Sequence, residues 1–324
     1  MKATSFVTGL LCAAAATASA GPASPLPGRG SGDAPEHSLV EIKPAGHAFK
    51  QLGIENPLGD ITVEGYDGDA ISVETWKYAP DEDSLDRLRV SLVPNPDGTV
   101  AIRTAADGGR EVKPIARSAV RLDILIRAPR NTRIEAAVSA GKLTIKDMDA
   151  GGDLDTASGP ISVANVSGEL WTHSVSGRTS IEQAFGSIDA ATVSSDVELD
   201  TISGDKLVAS ATKGKIAGRR VRSRDIELTT TDGKIQLEAE MALHGRLVVS
   251  SLRGDIDVKL RNHAAVAQVR ARGVKVDLAG TAAAERQGEW VQAMLGQAAH
   301  PDPAAMAMVE LESRLGNVQF TIVQ

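Results

Sequence analysis

Cysteine is nearly missing from this chain: Cys12 is the only one among 324 residues. Residues 1–20 have the layout of a secretory signal peptide, with Lys2 as the positive start, an apolar or small-residue run over 6–16, and Ala18-Ser-Ala20 as a small-residue cleavage site. Cleavage after Ala20 would remove Cys12, so the exported protein must hold together by core burial and backbone ladders, without disulfides. No apolar run reaches the roughly 20 residues that a membrane-spanning helix requires, so no span is expected after cleavage. Basic excess is lacking too. The formal charge is −7, and loss of Lys2 makes it more negative, which argues against nucleic acid as a partner. The six histidines (37, 47, 173, 244, 263 and 300) are scattered, without the spacing that holds a metal. There is no Gly-x-Ser-x-Gly elbow, and the Gly-Lys pairs at 141–142, 214–215 and 233–234 lack the upstream glycine of a phosphate-cradling loop. No catalytic, cofactor-binding or metal-ligating residue is therefore expected, nor any cofactor.

Aromatic residues make up only 3% of the chain, whereas glycine contributes 31 residues. This balance suits a thin, repetitive core. A short phrase recurs: glycine, one residue, then two alternating apolar residues. It appears as Gly159-Pro-Ile161-Ser-Val163, Gly186-Ser-Ile188-Asp-Ala190, Gly233-Lys-Ile235-Gln-Leu237 and Gly254-Asp-Ile256-Asp-Val258. Paired, the phrases form columns. Ile161, Thr179, Val197, Ile216, Ile235 and Ile256 are 18 to 21 residues apart, as are Leu170, Ile188, Leu207, Ile226 and Leu247. The repeat is thus 18–20 residues and holds two short strands. Period-2 alternation sends Ile161 and Val163 to one side and Ser162 to the other. One such coil cannot bury its apolar side alone, so coils must stack, at about 4.8 Å each. The expected fold is all-β, a parallel β-solenoid. Glycine at the corners is expected to supply φ > 0, and Ser158, Ser176 and Ser194 to hydrogen-bond between coils.

Taken in order, residues 21–36 read as a flexible linker rich in Gly, Pro and Ser. Residues 37–324 form one solenoid domain, with regular coils over 139–260. Residues 81–88 are charged and suit one short helix or a loop. Strands at 89–93 and 99–103 flank the turn segment Pro94-Asn-Pro-Asp-Gly98. Beyond Leu260 the pattern loosens. Residues 281–299, with Ala-Ala-Ala-Glu-Arg and the apolar Trp290, Met294 and Leu295, are expected to form a helical excursion covering an end or side of the stack. An uncovered last coil would otherwise offer unpaired backbone groups.

Two groups of residues carry candidate chemistry. Arg219, Arg220, Arg222 and Arg224 flank an inward Val221 and form a basic surface suited to a polysaccharide or lipid head group. Asp205, 19 residues before Arg224, offers that arginine an ion-pair partner one coil away. The acids Asp153, Asp155, Asp189, Asp196, Asp200, Asp205 and Asp225 lie on coils, where paired carboxylates can cleave a glycosidic bond. Modulo the repeat, however, they are not expected to share one outward column with aromatics, and only Trp171 lies near the middle of the regular region.

The chain resembles the bacterial "putative adhesin" domain family of exported envelope proteins. The resemblance rests on Ile54-Glu-Asn-Pro-Leu-Gly-Asp-Ile-Thr-Val-Glu-Gly65, on Ile124-Leu-Ile-Arg-Ala-Pro129, and on the tandem glycine phrases up to Leu260. It implies a β-solenoid and an envelope location, and it carries over no catalytic residue. The expected function is a non-enzymatic binding or scaffolding module in the periplasm, on the outer surface or secreted. Its partner would be an envelope or extracellular polysaccharide, lipid or protein. The alternatives are a polysaccharide-active enzyme using Asp carboxylates and a self-assembling structural protein.

Overall fold

A computed structural model describes residues 36–44, 48–106, 120–261, 266–281, 284–296 and 306–323. Residues 1–20 and most of 21–36 lie outside this set. The protein is all-β. The chain forms β1 (Glu36–Ile42), β2 (Gln51–Asn56), β3 (Ile61–Tyr66), β4 (Ile71–Tyr78), the single-turn helix α1 (Glu82–Asp86), β5 (Leu88–Pro94), β6 (Thr99–Ala106), β7 (Arg121–Pro129), β8 (Arg133–Val138), β9 (Leu143–Met148) and β10 (Gly152–Thr156). Four long strands follow: β11 (Ile161–Ser174), β12 (Thr179–Thr192), β13 (Val197–Lys213) and β14 (Ile216–Asp232). Then come β15 (Ile235–Glu240), β16 (Arg246–Ser251), β17 (Ile256–Arg261), β18 (Ala267–Arg272), β19 (Val276–Ala279), β20 (Glu285–Gln287), β21 (Trp290–Leu295), β22 (Ala307–Ser313) and β23 (Val318–Val323). Asp81 caps α1 by accepting a 2.7 Å hydrogen bond from the Ser84 amide.

All strands belong to one hydrogen-bonded network with two arms. In the first arm β6, β2, β8, β10, the second limbs of β11 to β14, β16, β22 and β18 pair in parallel. In the second arm β7, β3, β9, the first limbs of β11 to β14, β15, β17, β23 and β19 do the same. Each layer of the stack contributes one strand to each arm. The expected apolar column is met residue for residue: Ile161 pairs with Thr179, Thr179 with Val197, Val197 with Ile216, Ile216 with Ile235, and Ile235 with Ile256. All six are buried, and the second column from Leu170 to Leu247 is equally in register. Alternation puts these residues between the arms, where like stacks on like and a continuous core forms.

The corners differ from expectation in their physics. The glycines before each second-arm strand do not have positive φ; they are required by close approach. A Cβ at Gly159 would collide with the Gly141 carbonyl, one at Gly177 with the Gly159 carbonyl, and one at Gly254 with the Gly233 carbonyl. A buried hydroxyl three residues earlier holds each of these turns. The Gly159 amide donates to Thr156 (2.9 Å), Gly177 to Ser174 (2.8 Å) and Gly254 to Ser251 (2.8 Å). As expected, Ser158 and Ser176 tie one coil to the next, each donating to a carbonyl 3.2 Å away. Positive φ appears at the opposite bend, where the long strands cross between arms, and there Gly168 (+101°), Gly186 (+134°) and Gly204 (+138°) supply it as expected. There Asp147, Asn165, Gln183, Thr201 and Arg220 sit between +51° and +59°. Such backbone is costly for non-glycine residues, about 1–2 kcal/mol each. Side-chain bonds between coils offset it: Asn165 donates to Asp147 (2.6 Å) and Arg220 to Thr201 (2.9 Å).

The ends of the stack break sequence order. β7 and β6 lie outside β3 and β2, and the last coil, β22 and β23, is inserted between β16–β17 and β18–β19. Antiparallel strands then terminate three of the four sheet ends: β5 on β6, β4 and β1 beyond β7, and β21 and β20 beyond β18. The helix expected over 281–299 does not form in its described part, which is the β20–β21 hairpin. Ala293 and Leu295 alternate inward from β21 and are buried, and the unpaired edge of β18 draws the segment into the ladder. Edge pairing outweighs the local helical preference of the alanines.

Candidate functional site

The arginine row occupies the corner where β14 crosses between arms. Val221 is fully buried and the four arginines are exposed. Each has a carboxylate partner. Arg219 (3.4 Å) and Arg220 share Asp200, Arg222 meets Glu240 at 2.6 Å, and Arg224 meets Asp225 at 3.9 Å. Asp200 and Glu240 belong to adjacent layers, so the pairs lace three layers together. Asp205, the expected partner of Arg224, is not the acid paired with it. Arg220 and Arg222 also line a cavity of about 400 Å³ with Arg261, Glu238 and Glu240. Each of its three guanidiniums is paired: Arg220 with Asp200, Arg222 with Glu240 and Arg261 with Glu238, which ties the corner together.

A second site lies on the outer face of the first arm. There the register aligns Glu135, Asp153, Trp171, Asp189, Val208 and Glu227 in one row across successive layers. Trp171 is 54% exposed, with Asp153 one layer before it and Asp189 one layer after. This overturns the expectation that the acids share no outward column with an aromatic. The signal was in the sequence: 153, 171 and 189 are spaced by 18, the same offset as the apolar columns one position away. In the adjoining row Asp155 aligns with His173 and its carboxylate lies 3.4 Å from the imidazole. Arg133 bonds Asp153 at 3.1 Å. Burial holds the Asp189 carboxyl above its ordinary range; Lys206 pulls the other way and Glu227 adds to the rise. Beside this row opens a trough of about 490 Å³. Gly53, Ala101 and Ala137 contribute no bulk to it, and Glu55, Glu135, Asp153 and Asp155 supply acceptors.

A third polar group is structural. Asn56 is fully buried and saturated: it donates to Leu122 (2.8 Å) and accepts from Thr104 (2.6 Å) and the Leu58 amide (3.2 Å). Arg121 bridges Asp123 (2.8 Å) and Asp60 (2.9 Å). These bonds close the corner of the Asn-Pro-Leu-Gly segment and leave no free group for a ligand. Among the described residues no cluster of His, Cys, Asp or Glu is arranged to hold a metal, and no helix is long and apolar enough to cross a membrane.

The family model described as Toastrack DUF4097 matches residues 49–287, and the chain belongs to that family. No curated protein matches it. Solved structures resemble it over nearly their whole length at low identity. A "putative lipid binding protein" of Parabacteroides distasonis is 14% identical, covering 90% of this chain and 97% of its own, with a TM-score of 0.43. A "putative adhesin" of Bacteroides fragilis is 13% identical, with 89% and 97% covered and a TM-score of 0.40. A "putative adhesin" of Parabacteroides merdae is 11% identical, with the same coverage and a TM-score of 0.39.

Proposed function

We propose that the chain is an exported, non-enzymatic, adhesin-like β-solenoid, a binding module at the bacterial cell envelope whose ligand is an envelope or extracellular polysaccharide. In this reading residues 1–20 are the signal peptide, 21–36 the linker and 37–324 the solenoid, with regular coils over 139–260. One observation carries it: Trp171 stands outward between Asp153 and Asp189, on a face that adjoins an acceptor-lined trough. An exposed indole is an apolar platform for the C–H face of a sugar ring, and flanking carboxylates accept its hydroxyl hydrogens. Layers about 4.8 Å apart repeat such contacts along an extended chain. The face is open and excludes no water, which suits binding better than catalysis. Arg219, Arg220, Arg222 and Arg224 serve as an accessory surface, since all four stay more than half exposed while holding their carboxylates.

A glycan-binding screen of the residue 21–324 protein tests the reading. Trp171→Ala should abolish binding and leave the melting temperature unchanged. Absence of binding to envelope glycans, lipids and matrix proteins, together with filaments under the electron microscope, would overturn it in favour of a structural polymer. One observation favours a second reading as a glycoside hydrolase. Asp153 and Asp189 flank Trp171 across two layers, roughly 10 Å, just beyond the separation of an inverting carboxylate pair, and burial raises the Asp189 pKa, the direction a general acid needs. Release of reducing ends from a bound glycan, lost in Asp189→Asn, would establish that reading instead.

A further inference from the structure

The hairpin that replaces the expected helix brings together a group of charges that are far apart in sequence. A cavity of about 610 Å³ is lined by Arg272 of β18, Arg286 of β20, Glu289 of the hairpin turn, and Ser313 and Arg314 at the β22 corner. Arg272 bonds Glu289 at 2.9 Å and also bonds Glu312. Its guanidinium lies 5.3 Å from the centre of the Trp290 ring, which Arg270 also approaches at 4.7 Å. Arg314 reaches the already shared Glu312 at 3.5 Å. Two carboxylates therefore face three guanidiniums, and among the described residues Arg286 has no carboxylate partner. Ser313 is committed, donating to the Gly254 carbonyl (2.8 Å) and accepting from the Gly316 amide (3.0 Å). The uncompensated capacity at this cavity is thus cationic. In the Arg219–Arg224 corner, by contrast, each of the four arginines touches a carboxylate, Arg219 and Arg220 sharing Asp200.

We propose that the cavity lined by Arg272, Arg286 and Arg314 is a binding site for a phosphate group carried by a soluble ester, a polymer or a lipid headgroup. A guanidinium presents paired donors in a fixed plane, and a phosphate offers acceptors on several sides, so it can be held from three elements at once. Glu289, Glu312 and Trp290 fix Arg272 and Glu312 holds Arg314, while Arg286 lines the same cavity. The site is independent of the Trp171 face, so either can fail without the other.

The experiment is a titration of the residue 21–324 protein at low salt with inorganic phosphate, glycerol 3-phosphate, and phosphatidylcholine vesicles with and without phosphatidylglycerol. Wild type and Trp171→Ala should bind alike, and affinity should fall as salt rises. Arg286→Gln should weaken binding at least tenfold, whereas Arg178→Gln, at an exposed arginine paired with Asp196 and Glu198, should leave it unchanged. Arg286 is exposed and has no carboxylate partner among the described residues, so its loss should not move the melting temperature; Arg314→Gln, expected to weaken binding in the same direction, is the second variant. Binding of the soluble phosphates identifies a free or polymer-borne group, and binding of the anionic vesicles alone identifies a headgroup. Both uphold the site if Arg286→Gln removes them. No binding by any probe, binding that survives both Arg286→Gln and Arg314→Gln, or an equal loss in Arg178→Gln overturns it.

Discussion

Single residues in this protein are judged by what lies one coil away. Gly177→Ala places a Cβ against the Gly159 carbonyl, and backbone stacked on both sides cannot yield. The expected cost is about 1–3 kcal/mol, the range for overpacking, read as a lower urea midpoint with unchanged slope. Asp189 carries a different liability. Its folded pKa is raised, so the folded state binds the proton more readily than the unfolded one, and stability falls as pH rises from the unfolded value through the folded one. Asp189→Asn should therefore melt above wild type at pH 7 and match it near pH 3. An equal difference at both pH values would show that burial of the charge is not the cause. The glycines announced themselves in the sequence, but the reason for them did not. A Cβ clash across coils and a positive φ both select glycine, and only the stacked backbone tells them apart. Asp147 and Asn165 are of types that tolerate left-handed backbone, but nothing in composition marks Gln183, Thr201 or Arg220, because five unlike side chains share that bend.

Elements follow the same logic at longer reach. Strand identity over 139–260 was legible because period-2 alternation and an 18–20-residue repeat agree, and register came with it. Ile235→Asp should prove this. The side chain is wholly buried between Ile216 and Ile256, so an unpaired carboxylate there should cost several kcal/mol. A variant that melts like wild type would mean that the column is misplaced. Residues 281–299 show the limit of such reading. Alanine-rich composition is a weak local preference, whereas an open β18 edge is a row of unpaired donors and acceptors, and the ladder wins. The Trp171 row was within reach of the same arithmetic, since its outward members keep the apolar columns' spacing.

At the scale of the molecule, layer order is not chain order. β22 and β23 separate β16–β17 from β18–β19. Ending the chain at Gly296 therefore removes an interior layer and exposes edges on both sides of the gap. In an ordinary linear repeat, loss of the last unit is tolerated and trims stability by one interface. Here truncation should instead give aggregated or unfolded protein in size-exclusion chromatography and circular dichroism. A soluble, strand-rich truncated chain would contradict the insertion. The capped ends also bear on assembly, since antiparallel strands at three of four sheet ends oppose end-to-end growth.

The sequence by itself determined the strand period, the inward columns and the corner glycines, because each is a local repeat enforced by the geometry of one coil against an identical neighbour. Only the tertiary structure decided the order of the end layers, the conversion of the expected helix into a capping hairpin, and the meeting of Arg272, Arg286 and Arg314. Those outcomes depend on which open edge each segment finds, and an edge is a property of the assembled stack that no local pattern encodes.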